Sequence, residues 1–355
     1  MTGGPRAAPP IKGVPLDLTY PYPDPPAPGE AIEVAPGVLW ARFPLPFRLN
    51  HINVFLIEDT GGWAVIDAGI SDDPSRAAWE ALMAGPLRGQ RLTQLVITHS
   101  HPDHIGLAGW LCDRFGAGLV TSQTAWLTCL YESLAPDATN KAAYQLDYQR
   151  HGLGDYAETL LTIGHRYLRM VEPLPDTFRR IVAGDTLRIG GRDFRVLTGD
   201  GHAAEQVMLH CAADRLFLSA DQVLAKITPN VSVWATDPDG DPLGLYLRSL
   251  AALEQGVPDD VLVLPGHQLP FRGLHTRLRE LAHHHEDRFA RILAACADGP
   301  KTVFDLLPAL FRLPLGPHET GFAFSEARAH VNRMVIEGRL RWVDTGDGTT
   351  RVVPA

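Results

Sequence analysis

Between Val96 and Gly106 the chain reads VITHSHPDHIG, which sets His99, His101, Asp103 and His104 within six positions directly after an apolar run. Side chains this close on one loop cannot all avoid each other, and grouping them partly buried without a cation would be costly. Neutral imidazoles and a carboxylate suit zinc, and also iron or manganese. One metal could not easily take all four donors from so tight a loop. The spacing therefore points to two adjacent ions and requires further ligands downstream.

Three later segments share one grammar: an apolar strand, a small residue, then a ligand-capable side chain. Thr198-Gly199-Asp200-Gly201 leads to His202, Phe217-Leu218-Ser219-Ala220 to Asp221, and Val263-Leu264-Pro265-Gly266 to His267. Asp67 closes a similar run, Trp63-Ala64-Val65-Ile66. The consecutive His283, His284 and His285 fall on a later helix and read as a solvated face.

The elements that must hold these residues follow from turn signals and periodicity. Strands are expected over 38–43, 52–57, 63–67, 94–98 and 119–121, with a helix from Pro74 to Met83 capped by Asp73. The histidine motif thus lies where a buried strand gives way to a loop, followed by a helix over 105–115. Residues 122–170 read as a helical, aromatic insertion. Strands return over 186–189, 194–197, 207–211, 216–219 and 261–264. Helices are expected over 276–296, 302–311 and 325–337, then a hairpin formed by 340–343 and 350–353 about a DTGDG turn.

With 355 residues the chain can bury a large core and form one large domain plus a smaller one. Its net charge of −9 disfavours unaided phosphate binding. The four cysteines are far apart and form no CxxC pair, so neither a disulfide framework nor a thiolate zinc site is expected. No run of about 18 apolar residues suggests a membrane span. The proline-rich arm over 1–30 lacks the apolar core of a secretory signal, so the cytoplasm is the expected compartment.

The full set of motifs resembles the metallo-β-lactamase-fold superfamily of binuclear metal hydrolases, over roughly residues 32–271. The resemblance implies an α+β fold, an αββα sandwich with a metal site at one edge between two sheets. It implies a catalytic domain over 31–273, a helical cap inserted at about 122–170, and a small winged-helix-like domain over 274–355. By position, His99, His101 and His202 would hold one divalent ion, and Asp103, His104 and His267 the other. Asp221 would bridge them, and Asp67 would orient the histidine loop without ligating. Zinc is the expected metal, with iron and manganese also suited. The sequence departs from the family's pattern in lacking Pro-Gly after His202 and in having Gln268 where glycine is common.

Such a site implies hydrolysis by a hydroxide shared between two cations, with Asp103 and Asp221 placed to orient the water. Better-known β-lactamases carry cysteine or serine at the position of Asp221. The aspartate resembles the glyoxalase II, lactonase, thioesterase and nuclease branches. The expected substrate is a small ester, thioester or lactone, with Tyr144, Tyr148, His151 and Tyr156 lining an acyl pocket. The competing expectation is a nuclease acting on single-stranded RNA or DNA, which would need a basic open channel. The C-terminal helix instead offers a mixed face of Arg328, Arg333 and Arg339 with Glu326 and Glu337, which fits packing or a homodimer contact better.

Overall fold

The computed structural model describes residues 18–134, 142–154, 156–312 and 314–355. Two sheets lie face to face. The first runs in order β1 (Ala31–Ala35), β2 (Val38–Pro44), β3 (His51–Asp59), β4 (Gly62–Ile66), β5 (Leu92–Val96), β6 (Gly118–Thr121) and β7 (Arg179–Arg180), antiparallel up to β4 and parallel beyond it. The second contains β8 (Thr186–Ile189), β9 (Arg192–Gly199), β10 (Gln206–Cys211), β11 (Leu216–Ala220) and β12 (Leu262–Pro265), in the order β12-β11-β10-β9-β8. Trp40, Phe55, Ile57 and Val96 of the first sheet pack against Phe194, Val207, Leu218 and Leu264 of the second. The alternation of buried residues along these strands puts one apolar set between the sheets and another beneath the helices.

Helices cover both outer faces, giving the αββα sandwich. On the first sheet lie α1 (Asp73–Ala84), α2 (Pro102–Ile105), α3 (Ala108–Phe115) and α4 (Gln123–Leu134). The second sheet's outer face shares one core with α5 (Ala142–Arg150), α6 (Tyr156–Leu168), α7 (Pro242–Gly256), α8 (Leu274–Cys296), α9 (Leu307–Leu310) and α10 (Pro317–Ile336). The terminal hairpin, β13 (Leu340–Asp344) and β14 (Thr350–Pro354), buries Leu340 and Val352 in that same core. Among the described residues no helix is long and apolar enough to cross a membrane. Of the proline-rich arm, residues 1–17 lie outside the described residues. Thr19 exchanges backbone hydrogen bonds with Arg272, and the Tyr22 hydroxyl donates to the Val34 carbonyl at 2.6 Å.

Several expectations change in detail. The N-cap of α1 is Asp72, whose extended backbone lets its carboxylate accept the Ser75 N–H at 2.8 Å. The helix expected over 105–115 breaks at Gly106, because its carbonyl accepts Glu172 N–H and the Leu107 N–H goes to the Gly69 carbonyl. Residues 302–311 form a 3-10 turn (Phe304–Leu306) and then α9, with Pro308 early in that short helix. Helix α10 starts earlier than expected, at Pro317, and α7 was not anticipated. Asp241 caps α7 by accepting the Gly244 N–H at 2.8 Å.

The solvated face expected for His283, His284 and His285 on α8 is also corrected, and the mixed face of α10 is largely interior. His285 is fully buried and lies 3.0 Å from His330, ring nitrogen to ring nitrogen. Glu326 and Arg328 are buried too, with Glu326 paired to Arg288 at 2.9 Å. The cause is packing: α8 and α10 lie against each other and against α7, so the faces between them are interior.

Candidate metal centre

The strands β4, β5, β9, β11 and β12 end at one edge of the sandwich, and each is followed by a polar residue of the sequence motifs. Cross-sheet hydrogen bonds fix that edge: Val207 N–H to the Thr98 carbonyl at 2.8 Å, and Asn53 N–H to the Gly266 carbonyl at 2.7 Å. Three sets of ligand atoms converge there, each set lying within 4.8 Å of one another: His99, His101 and His202; His99, His104 and Asp221; Asp103, His104 and His267. The structure thus brings together all seven residues of the expected cluster. His99, Asp103, His104, Asp221 and His267 are buried, while His101 and His202 are half-buried.

Hydrogen bonds orient the rings. Asp67 accepts Thr98 N–H at 2.9 Å, the Thr98 hydroxyl at 3.0 Å and His104 Nδ1–H at 2.8 Å. With its proton given to Asp67, the Thr98 hydroxyl oxygen is left to accept His99 Nδ1–H at 3.0 Å. His202 Nδ1–H donates to the Asn230 carbonyl at 2.8 Å, and His267 Nδ1–H to the His51 carbonyl at 2.7 Å. In these four rings Nδ1 is engaged, which turns Nε2 towards the cluster. Such outer partners are what set a metal-binding tautomer. His101 presents Nδ1 instead, 3.0 Å from His99 Nε2.

The donors fit cations. His104 Nε2, His202 Nε2 and Asp221 Oδ1 are buried without a hydrogen-bond partner, a costly arrangement for an apoprotein. Asp221 Oδ2 lies 3.2 Å from His267 Nε2, 3.4 Å from His202 Nε2 and 3.5 Å from His104 Nε2. Gly266 makes room for this: a Cβ there would sit 2.3 Å from Asp221 Oδ1 and 3.0 Å from His104 Cε1.

The electrostatics agree. Burial pushes His101 down to about 3 and His99 well down, so both rings stay neutral with free lone pairs. Burial alone would raise Asp221, but His267 and His104 hold it well below the usual carboxylate range. Conversely burial would lower His267, yet Asp221 and Asp103 draw it up to about 10. The two carboxylates demand positive charge at this place.

Backbone strain gathers here as well. Among the described residues, the non-glycine positions with positive φ are Asp67, Glu205, Arg215, Ala220 and Gln268. Four of the five lie in or beside the cluster's loops, where such strain persists only if neighbours over-determine it. At Gln268 (φ 71°) the carbonyl accepts from Arg42 at 2.6 Å and Asn53 Nδ2 at 3.0 Å. Its side-chain oxygen accepts Lys226 N–H at 2.6 Å. That clasp accounts for glutamine where glycine is the easier residue.

The aromatics expected at an acyl pocket sit elsewhere. Tyr144 and Tyr148 are buried in the core beneath α10, with Tyr148 edge-on to Phe324 at 5.3 Å. His151 is buried against Trp342 and faces Asp147. Tyr156 is partly buried against that core. Helix α10 offers apolar surface to the insertion, so these rings turn towards it. The residue that does reach the cluster is Tyr167, whose hydroxyl donates to Asp103 Oδ1 at 2.8 Å. Burial and the Asp103 charge hold its phenol well above its usual pKa, so it remains a donor.

Sequence reasoning also passed over Thr98, His51, Asn53 and Asn230. Thr98 sits inside the histidine motif and could have been suspected. The others touch the site only through tertiary contacts.

Comparison with known proteins accords with this geometry. The family described as the Metallo-beta-lactamase superfamily matches residues 48–267, and a Metallo-beta-lactamase-like C-terminal domain matches 289–355. YqjP of Bacillus subtilis, a probable metallo-hydrolase, is 24% identical over 314 residues, which cover 84% of this chain and 92% of YqjP. A hydroxyacylglutathione hydrolase of Cereibacter sphaeroides is 26% identical over 224 residues, 62% of this chain and 64% of that protein. The solved structure of a beta-lactamase domain protein from Burkholderia ambifaria is similar at TM-score 0.86 and 38% identity, over 95% of this chain and 98% of that one. A metallo-beta-lactamase family protein from Thermus thermophilus is similar at TM-score 0.78 and 28% identity, over 91% and 100% respectively.

Proposed function

Because this chain belongs to the metallo-beta-lactamase superfamily and is a metallo-hydrolase, we propose that it cleaves a small ester, thioester or lactone with two divalent ions. His99, His101 and His202 would hold one ion and Asp103, His104 and His267 the other, with Asp221 between them. The observation that carries this reading is the set of rings with Nδ1 tied off and Nε2 turned inwards, where the Nε2 atoms of His104 and His202 and Asp221 Oδ1 are buried without a hydrogen-bond partner. Zinc is the proposed occupant, since the donors are mostly imidazole nitrogens; iron and manganese accept the same set.

Ions so held supply a Lewis acid for the scissile carbonyl and lower the pKa of water towards neutrality. The chain's own part is orientation. Asp103 and Asp221 are ionised and fixed by the neighbouring imidazoles, so each offers an acceptor to a water proton. Asp67 and Thr98 keep His104 and His99 turned inwards throughout.

An acyl substrate is supported by the curated relative named as a hydroxyacylglutathione hydrolase. The nuclease alternative is weakened by charge pairing in the C-terminal segment. Arg333 pairs with Asp241 and Glu337, Arg339 with Glu286 and Glu337, and Arg351 with Asp347. We read residues 31–273 as the catalytic unit and 274–355 as a winged-helix-like module that serves packing. Four free cysteines suit the cytoplasm as the proposed compartment.

The test is an activity panel on metal-quantified protein: acyl thioesters, lactones, a chromogenic cephalosporin and single-stranded RNA, beside an Asp103→Ala/His104→Ala control. Thioester, ester or lactone turnover that the control lacks supports the proposal. Metal-dependent RNA cleavage without ester turnover overturns it.

A further inference from the structure

The insertion returns to the sandwich through residues 167–173, and this return is tightly held. Ser71 N–H donates to the Met170 carbonyl at 3.1 Å, and Glu172 N–H to the Gly106 carbonyl at 2.8 Å. Gly109 permits the close pass, since a Cβ there would meet the Pro173 carbonyl oxygen at 1.8 Å. Tyr167, at the end of α6, is thereby fixed over α2. Phe47 meets its ring edge-on at 5.5 Å and stacks in turn on His318 of α10 at 5.6 Å.

Held in this way, Tyr167 divides the two oxygens of Asp103. Oδ1 accepts the phenol hydrogen at 2.8 Å. Oδ2 faces the imidazoles, 3.3 Å from His267 Nε2 and 3.7 Å from His104 Nε2. A carboxylate left free could rotate, or offer both oxygens to one ion. One whose outer oxygen is engaged by a fixed donor presents a single oxygen inwards. Outer hydrogen bonds of this kind typically change metal affinity by roughly 10–100-fold.

We propose that Tyr167 is a positioning residue that restricts Asp103 to one-oxygen ligation of its metal ion. The inference rests on the metal assignment under Proposed function. The insertion thus contributes to the centre through one hydroxyl, while Phe47 and His318 keep its ring in register.

The experiment is titration of metal-depleted protein with zinc in competition with a chromophoric chelator, for wild type, Tyr167→Phe and Tyr167→Leu, with kcat and KM on the best panel substrate. Tyr167→Phe keeps the ring and its packing. It is expected to bind one of the two ions roughly 10–100-fold more weakly, with kcat lowered and KM nearly unchanged. If Tyr167→Phe binds both ions as wild type does and only Tyr167→Leu is impaired, the ring matters and the hydroxyl does not, and the proposal is overturned. Wild type that binds a single ion sinks the binuclear reading alone; weakening of that ion by Tyr167→Phe still supports the role given to Tyr167. Wild type that binds no zinc sinks both.

Discussion

Asp67 and His104, 37 positions apart, are joined carboxylate to imidazole at 2.8 Å, with both side chains buried. The left-handed backbone of Asp67 (φ 66°) turns its carboxylate towards the histidine loop, where it also takes both hydrogen-bond donors of Thr98. One carboxylate therefore sets the tautomer of His104 directly and that of His99 through the threonine hydroxyl.

Asp67→Asn should keep the fold while confusing that tautomer, because an amide supplies a donor where only acceptors fit. Metal affinity is expected to fall roughly 10–100-fold. A chelator competition titration reads it directly, and unchanged affinity would show that Asp67 serves only the backbone.

Gly266→Ala tests the space around Asp221. The added Cβ would approach Asp221 Oδ1 to 2.3 Å, so the carboxylate must leave its place among the imidazoles. Activity should drop at least about 100-fold, as expected when reacting groups are displaced by about 1 Å. Circular dichroism should remain that of the folded protein. Full activity in the variant would mean that Asp221 is not where the chemistry needs it.

Gln268 separates strain from clasp. Gln268→Gly relieves a left-handed backbone worth about 1–2 kcal/mol but loses the side-chain hydrogen bonds to the loop after Asp221, worth about 1 kcal/mol each. Gln268→Ala keeps the strain and loses the same bonds. Urea denaturation should rank glycine above alanine, with glycine within about 1 kcal/mol of wild type. The reverse order would contradict this account of the loop.

The buried pair His285 and His330 makes the fold sensitive to acid. Burial, aided by the charges of His330, His284 and Arg288, pushes His285 to about 2, and burial with Arg288 and His284 pushes His330 to about 3. Once unfolded, both regain an ordinary pKa near 6.5, so below that pH the unfolded chain binds more protons. Their contribution is intact above pH 6.5 and is lost as the pH falls, by about 1.4 kcal/mol per pH unit for each ring. Urea midpoints between pH 7.5 and 5 should fall less steeply in His285→Leu/His330→Leu than in wild type. Equal slopes would remove these histidines as the cause.

Most strands in chain order and the metal-binding character of the centre were legible in the sequence itself, while the sandwich edge on which function gathers was implied by the family resemblance. The reason is local: each ligand-bearing segment opens one to three residues after an apolar strand, at His99, His202, Asp221 and His267, so strand and ligand are read together. His99, His101, Asp103 and His104 even share one short segment, the loop after β5 and the start of α2. What tertiary structure alone decided were the contacts between segments far apart in the chain. Asn53 bonds to the Pro265 carbonyl across 212 positions, and Tyr167 to Asp103 across 64. Periodicity marked the insertion as helical and aromatic, but the choice between metal centre and core depended on α10 arriving to cover Tyr144 and Tyr148. The same docking buried His285, Glu326 and Arg328, which on an isolated helix would face water. Burial belongs to the partner surface as much as to the residue, and no stretch of sequence carries its partner with it.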